Sequence, residues 1–276
     1  MATNCSNMAN EGLLPYDEGY AKAREVTEAA SAIDSEFASA HGSLGWISMI
    51  YDSDLAQAAH HFNHALQLEP MNITIISNAS ALLLVLGRLE QAIATYEYTS
   101  KRDPISAIKH SNLGFCYLNA GRWDEAITSY ETTLRLSPSN ISANYYIGIA
   151  LLGKGDFPAA LELFNQAEDE AYRVKGQAMA LYSLGRQEEH QARLDELIER
   201  WGDQWPEEVA HVYAWMDDTD RAFAWLNKGL QDSGFIDITQ PLLQSLNNDP
   251  RWVTLLASFG QSPEQLSTIE FEIKLP

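Results

Sequence analysis

A chain of 276 residues with 46% hydrophobic residues is long enough and apolar enough to bury a sizeable core. Its formal net charge of −20 opposes phosphate-rich partners, since counterion release rewards Lys and Arg brought to phosphate, so neither nucleic acid nor an anionic membrane surface is expected. No run approaches the roughly 18 apolar residues of a membrane span, residues 1–12 lack the Lys or Arg and apolar run of a secretory signal, and Cys5 and Cys116 are too few for a disulfide framework, so a cytoplasmic protein is expected.

In chain order, residues 1–16 read as disordered or extended. A helical stretch follows from about residue 17, with Ala23 and Ala30 on it, and residues 17–37 read as a leading half-repeat. From there one period of 34 residues governs the chain: Ala58, Ala92, Ala126 and Ala160 keep it, and Phe62, Tyr96, Tyr130 and Phe164 keep it four residues later. Pro70, Pro104 and Pro138 share the step, as do Gly87, Gly121 and Gly155. Residues 38–170 thus divide into four regular units, the first with one extra residue between Gly45 and Ala58 and hence a longer turn.

Within a unit, a first helix carries a pair such as Leu113-Gly114, a glycine ends it, and a second helix sets alanine and an aromatic ring at i and i+4 on one face. Proline closes the unit because it cannot extend the helix. Residues 171–236 continue as two divergent units, with steps of 30 and then 32 at Leu194 and Leu226, and with His190 where alanine stood before. Residues 237–276 form a C-terminal cap and tail, in which Asp249-Pro250 starts a helix and the last residues are extended or disordered.

The Leu-Gly, Tyr, Gly, Ala, aromatic, Pro pattern at this spacing resembles the tetratricopeptide repeat. More loosely, Ala40-His41, Leu44-Gly45-Trp46, Ala214-Trp215 to Ala222-Phe223 and Asn248-Asp249-Pro250-Arg251 resemble the C-terminal repeat regions of bacterial cyclase, kinase or winged-helix signalling proteins. No output domain is expected here, because the repeats start almost at the first residue. The resemblance implies an all-α fold, an α-solenoid in which helical hairpins wind into a right-handed superhelix with C-terminal capping helices. It also implies a concave face lined by the first helices.

On that face the expected peptide-binding groove is Trp46, Ile50, Leu84, Phe115, Leu118, Asn119, Tyr145 and Ile149, with Ser77 and Ser111 adding hydroxyls. Such a groove suits a peptide with bulky anchors. The alternative is that several of these side chains are buried against neighbouring repeats or a C-terminal helix. Relatives that clamp a C-terminal carboxylate use Lys, Arg and Asn here, but beside Asn78 and Asn112 only Lys109 supplies a cation.

No residue pattern calls for catalysis, a cofactor or a metal. His60 and His64 share a helix face, yet Phe62-Asn63 lies between them without the glutamate of a zinc protease helix, so both read as solvated. Gly153-Lys154-Gly155 lacks the spacing of a phosphate loop, Cys116 reads as a packed thiol, and Glu168-Asp169-Glu170 and Asp217-Asp218 read as caps or solvated turns. The sequons at Asn72 and Asn140 fall at repeat junctions. The expected function is a non-enzymatic interaction scaffold for a protein or peptide, with basic segments favoured by the acidic surface. The alternative is a ligand-sensing regulatory module acting in trans on a bacterial signalling system.

Overall fold

The computed structural model describes Met8, residues 13–233 and residues 239–275; the region around Cys5 and most of residues 1–16 lie outside these. The described residues are helices joined by short turns, without a strand. They fall into two compact units: Met1–Asp103 with Gly260–Pro276, and Pro104–Phe259.

Unit 1 begins with α1 (Tyr16–Ile33), then two hairpins, α2 (Ala38–Ile50) with α3 (Leu55–Leu68) and α4 (Ile73–Val85) with α5 (Leu89–Arg102). The lone α1 buries Tyr20 and Ala23 against Ile47 of α2, and Arg24 pairs with Asp52 at 2.5 Å. The same unit contains α15 (Pro263–Ser267) and an extended tail, residues 269–275.

Unit 2 has four hairpins. They are α6 (Ala107–Asn119) with α7 (Trp123–Leu136), α8 (Ala143–Lys154) with α9 (Phe157–Asn165), α10 (Glu170–Ser183) with α11 (Gln187–Trp201), and α12 (Pro206–Trp215) with α13 (Thr219–Ser233). A 3-10 helix, Pro241–Asn248, packs on α12 and is followed by α14 (Pro250–Ser258).

The hairpin register follows from one recurring contact. Ala58, Ala92, Ala126 and Ala160 are fully buried, and Phe62, Tyr130 and Phe164 are equally inaccessible beside them. In three hairpins the ring lies over a glycine of the first helix. A Cβ on Gly45 would stand 2.9 Å from Phe62, one on Gly114 2.8 Å from Tyr130, and one on Gly148 2.4 Å from Phe164. Real side chains never sit so close, so glycine is required for the helices to meet, while burying each ring contributes roughly 1.5–3 kcal/mol. In the divergent hairpin His190 takes the alanine's place, 2% exposed, with its Nδ1 2.9 Å from the Ala178 carbonyl.

The turns carry the rest of the pattern. Gly87, Gly121, Gly155 and Gly185 have φ between 67° and 80°, the left-handed conformation that ends a helix and that glycine adopts without strain. The first hairpin instead turns through Tyr51–Asp54 with Ser53 at φ 55°, which accommodates its extra residue, and the last turns at Asp217 with φ 60°. Asp54, Asp156, Asp169 and Asp249 accept backbone N–H groups as N-caps. Asn72 does likewise, its Oδ1 accepting from the Thr74 and Ile75 N–H groups, while Asn140 Oδ1 accepts from the Ala143 N–H in the turn before α8.

Candidate functional site

In unit 2 the first helices α6, α8, α10 and α12 neighbour one another in order. Aromatic contacts run between them: Phe115 meets Tyr146 edge-on at 5.7 Å, Tyr145 stacks on Tyr172 at 4.5 Å, and Tyr146 also stacks at 5.3 Å on Tyr130 of the second helix α7. Beside these rings lies a buried charge cluster. Lys175 of α10 pairs with Glu208 of α12 and stands 4.6 Å from the Tyr145 ring centre, and Glu208 also accepts from His211 Nδ1 at 3.3 Å. Lys175 and His211 side chains are only 4% exposed. Burial alone would raise the Glu208 carboxyl, but Lys175 and His211 outweigh it and hold the group well below the usual carboxylate range. The Tyr145 phenol is pushed far up by burial, then by the Glu208 charge, and its hydroxyl has no hydrogen-bond partner among the described residues.

The expected groove residues separate accordingly. Leu118, Tyr145 and Ile149 are buried at 0%, 2% and 3% exposure, so they pack between helices and do not present a surface. The physical reason is that neighbouring first helices are close enough to cover them. Phe115 and Asn119 are half-buried in unit 2, and Trp46, Ile50 and Leu84 are half-buried in unit 1. Lys109 is itself buried at 7% exposure.

Asn119 is already engaged. Gln244 of the 3-10 helix donates from Nε2 to the Asn119 carbonyl at 2.8 Å and to its Oδ1 at 3.3 Å, and Ser245 Oγ donates to the Ala214 carbonyl at 3.1 Å. Leu242, Leu243 and Leu246 of the same segment are buried. A short apolar segment of this chain therefore rests on the first helices of unit 2, reaching both α6 and α12.

A second occupied surface lies on unit 1, on its second helices. The tail passes over α3, where Asn63 Nδ2 donates to the Glu270 carbonyl at 3.2 Å. Arg88, at the start of α5, donates to the Ile269 carbonyl at 2.6 Å and to the Phe271 carbonyl. Phe271 is 4% exposed, with its ring 6.4 Å from Phe62. Tail and helices together wall a cleft of about 710 Å³. The end of the chain thus does more than cap the last hairpin, because α15 and the tail belong with the first two. The alternation of Ile269, Phe271, Ile273 and Leu275 with Glu270, Glu272 and Lys274 is a period-two signal visible in the sequence. Nothing in the sequence marks Arg88, Asn63, Lys175, Glu208 or His211.

The histidines regroup. His60 is exposed, but His64 is half-buried and meets His41 of α2 edge-on at 4.3 Å, while His61 lies 5.8 Å from His41. His64 is therefore not a solvated outer residue; it lies over the crossing of α2 and α3. Burial, then the His41, His60 and His64 charges, lower His61 to about 4. The unfolded chain takes up a proton near pH 6.5 that folded His61 refuses, so its contribution is complete above that pH and is lost as pH falls towards 4. With the ring half in water, the loss is about 1 kcal/mol. In urea unfolding at pH 7 and pH 4.5, His61→Gln is expected to narrow the stability difference by that amount; an unchanged difference would refute it. Among the described residues no group of three His, Cys, Asp or Glu side chains is placed to hold a metal ion. Cys116 is fully buried, its thiol pushed up by burial to about 12. No helix among the described residues is long and apolar enough to cross a membrane.

The family model of the tetratricopeptide repeat matches residues 79–141, 116–173 and 145–213. No curated protein matches the chain by sequence. Among solved structures, a tetratricopeptide repeat protein from Parabacteroides merdae is 16% identical with a TM-score of 0.63, over 90% of this chain and 99% of its own. PilW, a widely conserved type IV pilus biogenesis factor, is 19% identical with a TM-score of 0.62, over 76% of this chain and 97% of its own. A chain of the APC/C hetero-tetramer Cut9–Hcn1 is 16% identical with a TM-score of 0.60, over 83% of this chain and 46% of its own. At such identities these likenesses show the fold alone. Successive helical hairpins, three of them closed by a glycine-to-ring contact and those over residues 79–213 matched in sequence, make this chain a member of the tetratricopeptide repeat family, an α-solenoid fold.

Proposed function

We propose that the chain is a non-enzymatic scaffold that binds a peptide or protein segment on a face built from the first helices of a unit. The observation that carries this reading is the 3-10 segment on unit 2: Gln244 bonded to Asn119, Ser245 to Ala214, and three leucines buried. A surface that accepts a short apolar segment with one amide contact and one hydroxyl contact has the chemistry of a peptide site. Half-buried Trp46, Leu84 and Phe115 are the anchoring positions left on such faces, whereas Ile50 packs on the Tyr20, Ala23 and Ile47 cluster. The net charge of −20 favours partner segments carrying Lys or Arg.

The test is affinity capture from the native lysate with the wild-type chain and with Phe115→Ala, on the unit 2 face. Truncating aromatic anchors at an interface costs about 2 kcal/mol or more each, so a true partner should be lost from the variant at wild-type helical content. A partner retained equally by both chains would remove the first-helix face from the reading.

A further inference from the structure

We propose that the Asn63–Arg88 surface of unit 1 is a docking site for extended peptides with alternate large apolar side chains around a central aromatic, and that the chain's own tail occupies it as an internal ligand which a partner segment displaces. The site lies on the second helices, apart from the face assigned above, and does not depend on that assignment.

The tail displays the chemistry of its own replacement. Residues 269–275 form no helix and no strand, and their side chains alternate. Phe271 is buried, Ile269, Ile273 and Leu275 are half-buried, and Glu270, Glu272 and Lys274 point to water. This is the period-two pattern of an extended segment with one face against a surface. Its three side-chain-to-tail hydrogen bonds all end on main-chain carbonyls, Ile269 and Phe271 from Arg88 and Glu270 from Asn63. Carbonyls occur in every peptide, so these donors fix an extended backbone without reading its sequence. Selectivity then rests on the pocket that takes Phe271 beside Phe62, which is how extended-peptide sites divide affinity from specificity. Arg88 is the informative residue: its guanidinium bonds two carbonyls two residues apart, which lie on the same side of an extended backbone.

A fluorescein-labelled peptide of residues 268–275, titrated into the full chain carrying Phe271→Ala and followed by anisotropy, tests this. Saturable binding is expected, at least about tenfold tighter than to the wild-type chain, whose own tail competes for the site. Adding Arg88→Ala should weaken binding about tenfold or more, and a peptide with alanine in place of its phenylalanine should not bind. Absence of binding to a Phe271→Ala chain of wild-type helical content, or binding indifferent to the peptide's phenylalanine, overturns the proposal. The peptide change leaves the protein untouched, so that arm holds whatever the variants do to folding. A concentration-dependent dimer of the wild-type chain, abolished by Arg88→Ala, would overturn the partner in favour of a second copy's tail. Binding is expected to survive Phe115→Ala, which keeps the failure of either reading recognisable.

Discussion

Glu208→Leu is expected to lower stability by about 3–5 kcal/mol in urea unfolding at pH 7. The carboxylate faces Lys175, whose side chain is 4% exposed and whose other near neighbours are the Tyr145 and Tyr172 rings at 4.6 and 5.6 Å. Without Glu208 an ammonium is stranded among aromatic groups that attract it weakly and cannot neutralise it. The lowered Glu208 pKa means that the pair's contribution is complete above the ordinary carboxylate range and fades only in strong acid. Removing both charges is a different experiment, because Lys175→Met/Glu208→Leu leaves no buried ion. The double variant should recover most of the loss, and a double variant as unstable as the single one would show that the cluster is not a coupled unit.

Phe164→Ala should cost a similar amount, about 3–5 kcal/mol, since it empties a fully buried site. The sharper test concerns Gly176, on the first helix of the next hairpin. A Cβ there would stand 2.2 Å from the Phe164 ring, and one on Gly148 would stand 2.4 Å from the same ring. Gly176→Ala gains about 1 kcal/mol of helix propensity but meets an overpacking cost of about 1–3 kcal/mol, so the wild-type chain should lose stability. In the Phe164→Ala background the collision is gone and the same change should become stabilising. If the sign does not reverse, the ring is not what requires glycine at this position.

Much of the architecture was legible because a repeat states each constraint several times. Ala126 and Tyr130 are one instance of a pairing written at four positions, so their register survives the noise of any single unit, and even the longer first turn showed as one extra residue between Gly45 and Ala58. The glycine of Leu113-Gly114 was visible as a pattern before its cause, the Tyr130 ring, was visible as a contact. Asp249-Pro250 could be read as a helix start because capping is local chemistry.

The candidate site was less legible because its contacts are not local. Leu118, Tyr145 and Ile149 were assigned to a groove by helical spacing, but whether a side chain so spaced meets solvent depends on how closely the next hairpin approaches, and all three are buried. Lys175 and Glu208 stand 33 positions apart on helices whose neighbouring turns carry no sign of the pair. Arg88 and Phe271 are 183 positions apart, and no periodicity connects them. Helical periodicity and turn chemistry act over a few residues and so are written in the chain itself. Which apolar faces stay open, which charges are buried together and where the tail rests are set by the packing of distant segments, and those appear once the hairpins have docked.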